Sequence, residues 1–163
     1  MRTTDEKRRS FFRLLGGLVG GAAIAGMGYS VFAREGVIDQ WVTVGPVADL
    51  PTDKPQRTSL TLTEHRLLFD STVQKVIWLR RTVDAVQVLS GACPHMNCTV
   101  AWKAEQNGFD CACHISNFDA TGRVVSGPSP RPLDALEHRI EGGILSVRYQ
   151  KFKPTVPEKQ VPT

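Results

Sequence analysis

The sequence predicts a mainly β protein, in which an antiparallel β domain follows one N-terminal transmembrane helix. Three observations predict it: short apolar runs with strand-like spacing after residue 34, turns rich in glycine and proline between them, and an uncharged stretch of twenty residues before them. Of the 163 residues, 41% are hydrophobic and 22% are charged, which is ordinary for one globular domain. A large multidomain enzyme is excluded by length.

The basic charge of the chain is concentrated at its N-terminus. Residues 1–13 contain five basic and two acidic side chains, and they supply +3 of the formal net charge of +4. The rest of the chain is close to neutral and shows no basic face, so we expect no nucleic-acid partner.

The segment 7–13, Lys-Arg-Arg-Ser-Phe-Phe-Arg, resembles the twin-arginine export signal of bacteria. The alternative is an ordinary membrane helix with positively charged cytoplasmic flanks. Both interpretations make residues 1–13 a cytoplasmic leader.

Residues 14–33 carry no charge, and as a helix rising about 1.5 Å per residue they would cross the roughly 30 Å core of a bilayer. Six glycines make this a weak anchor, because glycine lowers helix propensity. We expect an uncleaved single-pass anchor in the bacterial inner membrane, with the remaining domain on the periplasmic or outer side. Residues 34–45, which include Gly36, are predicted to form a hinge.

The strands come next along the chain. Apolar runs predict them at 41–44, 58–63, 75–79, 85–89 and 144–149, and no amphipathic helix of ten residues or sequence repeat is visible. The segment 46–150 is therefore predicted to be a small barrel or sandwich. The tail, residues 151–163, contains three prolines and little apolar surface, so we expect it to be extended, and the sequence assigns it no chemistry.

Two short segments contain all four cysteines and two of the four histidines: Cys-Pro-His-Met-Asn-Cys at 93–98 and Cys-Ala-Cys-His-Ile-Ser at 111–116. Each supplies one thiol and one imidazole, with one further cysteine. A structural zinc could take four such ligands, but zinc fingers usually have their cysteines in one closely spaced pair and their histidines in another. A 2Fe-2S centre with two cysteines on one iron and two histidines on the other needs this mixture from two loops.

These two motifs resemble the Rieske pattern Cys-x-His-x-Gly-Cys and Cys-x-Cys-His-x-Ser, and the resemblance extends over roughly residues 37–150. It implies a Rieske-type antiparallel β base domain with a small cluster-binding subdomain at about 90–132 holding one 2Fe-2S cluster. The implied ligands are Cys93 and Cys111 on one iron and His95 and His114 on the other. The resemblance further implies a disulfide between Cys98 and Cys113, a hydrogen bond from Ser116 to a bridging sulfide, and a loop covering the cluster made of Gly127, Pro128, Ser129 and Pro130.

Three residues depart from the family pattern. Asn97 and Ile115 stand where glycine is usual; Asn tolerates a positive φ, whereas Ile resists it. The second loop should therefore change its backbone angle or expose an apolar side chain. Phe118 stands where high-potential members have Tyr and has no hydroxyl to donate to a ligand sulfur, which favours a low potential and menaquinol as donor. We expect His65 and His138 to be ordinary surface or packing residues.

The resemblance implies the iron-sulfur subunit of a cytochrome bc-type quinol oxidase, a multi-subunit and dimeric complex with a cytochrome b subunit and a c-type cytochrome as partners. His114, beside His95, would take the hydrogen bond and then the proton of the quinol. The alternative is the small Rieske subunit of a periplasmic molybdenum oxidase resembling arsenite oxidase. An oxygenase needs a further mononuclear iron site, for which the chain is too short.

Overall fold

The computed structural model describes residues 36–52, 54–83 and 85–162. The predicted leader at 1–13 and the predicted anchor at 14–33 lie outside these residues. Within them, no helix has the length and apolar character needed to cross a membrane. The prediction of a mainly β, antiparallel fold is confirmed.

The described residues form ten strands and two single-turn 3-10 helices. The helices are Val47–Asp49 and Ala104–Gln106. The strands are β1 (Asp39–Pro46), β2 (Gln56–His65), β3 (Asp70–Arg81), β4 (Val86–Ser90), β5 (Ala101–Lys103), β6 (Gly108–Cys111), β7 (Ser116–Asp119), β8 (Val124–Ser126), β9 (Glu137–Glu141) and β10 (Ile144–Gln150).

The strands pair in three antiparallel sheets with the orders β1-β10-β9, β2-β3-β4 and β5-β6-β7-β8. The first and last strands of the base are neighbours, since Asp39 lies opposite Gln150. The Arg148 guanidinium joins three strands there, contacting Asp39 at 2.7 Å and Glu137 at 3.0 Å. Its hydrogen bonds lower the pKa of the Asp39 carboxyl despite some burial.

The side chains of β3 and β4 point alternately into two different hydrophobic cores. Successive side chains of a strand point to opposite faces, so Ile77 and Leu79 enter the core of the base while Trp78 enters a second core. The second core also contains Phe109, Phe118 and both free cysteines. The sheet β2-β3-β4 therefore packs one face against the core of the base domain and the other face against the core of the cluster-binding subdomain.

All five predicted strand runs are confirmed, but five strands are added and the hinge is corrected. Residues 39–45, which the sequence analysis placed in a hinge, belong to β1 and pair with β10. Gly45 lies where the register of β1 shifts. The unpredicted strands β5 to β9 have three to five residues each, too few to show a clear alternation.

The four residues Arg66–Phe69 connect β2 to β3. The Arg66 N–H donates to the carbonyl of Phe69 at 3.1 Å, which closes the turn. The Leu67 side chain at its tip is exposed.

The tail beyond β10 is irregular, yet it is packed against the domain. Phe152 is buried, and the Arg131 guanidinium donates to the carbonyls of Val156 (2.6 Å) and Lys153 (3.0 Å). The same guanidinium makes a two-pronged pair with Asp134, both contacts at 2.9 Å, and each of the two side chains is only 6% exposed. One buried cation thus binds the tail to the residues that follow the predicted cluster-covering loop.

Breaking this buried pair should destabilise the domain. Asp134→Asn removes the counter-charge of a buried guanidinium, and we expect a loss of about 3 kcal/mol in the free energy of unfolding. Glu141→Gln is the matched control, because the Arg139–Glu141 pair is exposed and should contribute less than about 0.5 kcal/mol. Denaturant unfolding measures both, and equal losses would contradict the assignment.

Candidate metal centre

The first cysteine- and histidine-containing loop, residues 91–100, follows β4. It is folded back on itself by two backbone hydrogen bonds, from Cys93 N–H to Cys98 O and from Asn97 N–H to Cys93 O, each 2.8 Å long. Asn97 has a φ of 59°, in the left-handed region. The expectation that Asn preserves a turn usually made with glycine is confirmed.

The second loop, residues 112–115, joins β6 to β7. Cys111 and Ser116 are paired across the base of this hairpin. Ile115 keeps a positive φ of 55°, a conformation rare for a β-branched residue, and its side chain is 73% exposed. Of the two expected outcomes, the exposed apolar side chain is the one found.

A third loop, residues 127–130, approaches the second so closely that glycine is required. Gly127 has a φ of 96°, and a Cβ there would overlap the backbone of Ile115 and Ser116. Ser129 is buried and donates its hydroxyl to the carbonyl of Arg131 at 2.9 Å.

The two free thiols lie at the buried side of the loops. Cys93 and Cys111 are each 1% exposed and are hydrogen-bond neighbours. Burial raises the pKa of the Cys93 thiol, and the nearby backbone N–H groups of His95 and Met96 act in the opposite direction. These backbone N–H groups therefore favour a thiolate at Cys93.

The two imidazoles lie at the outer side. The rings of His95 and His114 are perpendicular to within a few degrees (86°), with centroids 4.7 Å apart. His95 is half-buried, whereas His114 is exposed.

The remaining cysteines join the loops covalently. Cys98 and Cys113 form a disulfide with their Cα atoms 6.6 Å apart, as the resemblance implied. Their sulfurs and that of Cys111 lie within 4.8 Å of one another. Since a disulfide sulfur has no thiolate to offer, Cys111 alone of these three is available as a metal ligand.

Two buried polar atoms test whether a cofactor fits here. His95 Nδ1 and the hydroxyl of Ser116, which is completely buried, have no hydrogen-bond partner among the described residues. Leaving such atoms unpaired is costly, so each indicates a bound group that satisfies it. Two thiols and two imidazoles are the donor set of a Rieske 2Fe-2S centre, and the residues present fit that cofactor.

The other histidines have neighbours of their own. His65 Nδ1 is 2.9 Å from Asp70 Oδ1, and His138 Nδ1 is 3.2 Å from the carbonyl of Leu136.

One neighbour of the first loop is not evident from the sequence. The N–H of Thr155, in the tail, donates to the carbonyl of Pro94 at 2.8 Å. The sequence contains only an indirect indication that the tail is held near this loop. Arg131 and Asp134, which bind the tail, are spaced three residues apart immediately after the predicted cluster-covering loop.

Comparison with known proteins gives one family. The model of the Rieske [2Fe-2S] domain matches residues 40–138, which include all three loops. The chain is 30% identical over 160 residues to the menaquinol:cytochrome c reductase iron-sulfur subunit of Bacillus subtilis (strain 168), covering 91% of this chain and 95% of the relative. It is 29% identical over 153 residues to the cytochrome b6-f complex iron-sulfur subunit of Chlorobaculum thiosulfatiphilum, covering 90% and 78%.

Among solved structures, the plasma membrane Rieske protein of Synechocystis PCC 6803 is 26% identical, with a TM-score of 0.46 over 66% of this chain and 99% of that one. The family match, with the relative aligned over nearly its whole length, replaces the zinc alternative. The chain belongs to the Rieske [2Fe-2S] family, and its cofactor is a 2Fe-2S cluster.

Proposed function

We propose that this chain is the iron-sulfur subunit of a cytochrome bc-type complex and carries electrons from a membrane quinol to a c-type cytochrome. The supporting comparison is with relatives named as iron-sulfur subunits of menaquinol:cytochrome c reductase and of cytochrome b6-f complexes. Both alignments cover nine-tenths of the chain or more, so they extend beyond the cluster-binding loops. On this proposal the partners are a cytochrome b subunit and a c-type cytochrome within a dimeric complex.

The ligand assignment is part of the proposal. Cys93 and Cys111 would bind one iron, and His95 and His114 the other. Two observations support it: the free thiols are both buried, and the ring of His95, whose Nδ1 is unpaired, has its centroid 4.7 Å from that of His114. When bound, the cluster accepts and releases one electron at a time.

The observation that carries the function is the exposure of one imidazole edge. The thiols of Cys93 and Cys111 are sealed from solvent, so the exposed ring of His114 is the part of the site that a substrate can approach. Its outer nitrogen can accept a hydrogen bond from a quinol hydroxyl and then the proton, while His95 supports it from the half-buried side. The exposed side chains of Met96 and Ile115 give this edge an apolar border suited to a quinol ring.

Menaquinol is the favoured donor. The buried position of Phe118, in the same core as Cys93 and Cys111, brings no hydroxyl to a ligand sulfur. Fewer hydrogen bonds to sulfur mean a less stabilised reduced state and a lower potential. A quinol of lower reduction potential, such as menaquinol, is therefore the donor that better matches this cluster.

The location remains as the sequence predicts it: a twin-arginine leader at 1–13, an anchor at 14–33 in the inner membrane, and the domain on the outer side. The hinge predicted at residues 34–45 does not include residues 37–45, because Val37 is bridged to His65, Ile38 is buried in the core and residues 39–45 belong to β1. The proposed Rieske domain consists of residues 46–150 together with β1.

Co-purification of the tagged full-length chain from its native membranes tests the function. We expect a cytochrome b and a c-type cytochrome in the complex, and reduction of the cytochrome by a menaquinol analogue. His114→Gln should abolish this reduction, whereas His138→Gln, outside both loops, should leave it unchanged. Recovery of a molybdenum subunit instead of cytochromes would refute the proposal in favour of the periplasmic oxidase.

Ser116→Ala should lower the midpoint potential of the cluster. The Ser116 hydroxyl is buried without a protein partner, and on the proposed ligation it donates to a bridging sulfide, so its loss destabilises the reduced state. Ser90→Ala is the matched control, because the Ser90 hydroxyl accepts from Ala92 N–H at 3.2 Å. A redox titration followed by electron paramagnetic resonance (EPR) should show a decrease for Ser116→Ala only; equal midpoints would exclude the role of Ser116.

Phe118→Tyr should raise the midpoint. The new hydroxyl would enter the core that contains both ligand thiols and donate to one of them. The same titration measures the change, and combining the substitution with Ser116→Ala should bring the potential back towards the original value. A midpoint unchanged by Phe118→Tyr would refute this explanation of a low potential.

A further inference from the structure

The C-terminal tail contacts a part of the first loop that has direct consequences for the cluster. Thr155 N–H donates to the carbonyl of Pro94, the residue between Cys93 and His95. Pro94 is among the fully buried residues, so this carbonyl has no access to bulk water. Removing the donor would leave a buried acceptor unsatisfied.

The carbonyl of Pro94 and the N–H of His95 belong to one peptide group. That group is planar and trans, so its oxygen and its N–H point in opposite directions within one plane. The N–H of His95 lies on the other side of the peptide from Thr155, and its interaction with the Cys93 sulfur lowers the pKa of that thiol. Fixing the oxygen therefore fixes the direction of the N–H, and a donor at the oxygen also polarises the N–H.

Thr155 holds this position in an unfavourable conformation. Its φ is 60°, which is rare for a β-branched residue and is found where surrounding contacts impose it. Arg131 supplies such contacts, since it binds the carbonyls of Lys153 and Val156, on either side of Thr155. Further along the tail, Lys159 donates to the carbonyl of Ala135 at 2.6 Å and lies over the ring of Phe152 at 4.4 Å.

We propose that the tail positions the peptide group between Pro94 and His95 through the Thr155 N–H, and thereby raises the reduction potential of the cluster. Thr155 is a positioning residue, since it acts on the Cys93 sulfur through another group. A hydrogen bond to a ligand sulfur stabilises the reduced state, and a well-aligned one does so more than a loose one. The proposal rests on Cys93 being a cluster ligand, as put forward above.

Thr155→Pro in the full-length, cluster-loaded chain removes the N–H, and because proline is held at a φ of about −65° it also changes the tail backbone at this position. We expect the midpoint to fall, corresponding to an equilibrium constant for reduction about threefold to tenfold smaller, where tenfold equals 59 mV for one electron. Thr155→Gly is the matched control: it keeps the N–H and adopts a positive φ without strain, so its midpoint should equal that of the unmodified chain.

Two shortened chains give the answer if Thr155→Pro disturbs the tail more widely. A chain ending at Val161 keeps Thr155, both carbonyls bound by Arg131 and the contacts of Lys159 and Gln160, and its midpoint should be unchanged. A chain ending at Pro154 lacks the donor, and its midpoint should fall. Pulsed EPR after exchange into D2O adds a specific readout, since the exchangeable proton of His95 near the Cys93 sulfur should show a weaker coupling in the variants that lack the donor.

The outcomes separate this inference from the proposed function. Absence of a Rieske EPR signal from the unmodified chain would overturn the ligation itself. A full signal with one and the same midpoint in all variants would overturn the role of the tail and leave the ligation standing. Loss of the cluster from both variants that lack the donor would show that the tail holds the fold together, and would also overturn the tuning role.

Discussion

The disulfide between Cys98 and Cys113 is the constraint on which the rest of the site depends. The two loops leave different strands, and an iron-sulfur centre tolerates little variation in the separation of its ligands. A covalent bond between the loops limits that separation. The internal hydrogen bonds of the first loop and the hairpin pairing of Cys111 with Ser116 then orient the individual donors.

The two sides of the site differ in their exposure to solvent. Its sulfur donors lie against an aromatic core in which the rings of Trp78 and Trp102 both contact Phe109, at 5.5 and 5.0 Å. Its imidazoles lie outward, and that of His114 is open to solvent. On the proposed ligation, electron density would lie in a low-dielectric interior, where hydrogen bonds from amides and hydroxyls act strongly, and proton exchange would take place at the exposed imidazole.

The sequence was informative where chemistry restricts residue choice. Ligand spacing, the paired extra cysteines and long strands such as β3 could all be read from it, because metal coordination and period-two alternation leave direct marks. The short strands around the site could not, since β8 and β9 are edge strands with mostly exposed side chains. The role of Thr155 was invisible, because it acts through a main-chain N–H that every residue except proline possesses.

The adjacency of β1 and β10 determines how the domain carries mechanical force. A pull on the chain at Val37, directed away from the sheet, is borne first by its bridge to His65 and then by the end of the β1–β10 ladder. The two-pronged bond from Arg148 to Asp39 lies at this end, as does the bond from Lys151 N–H to the carbonyl of Ile38. The bond between Arg148 and Asp39, beside the first pair of the ladder, therefore resists the pull before the strands that carry the loops are loaded.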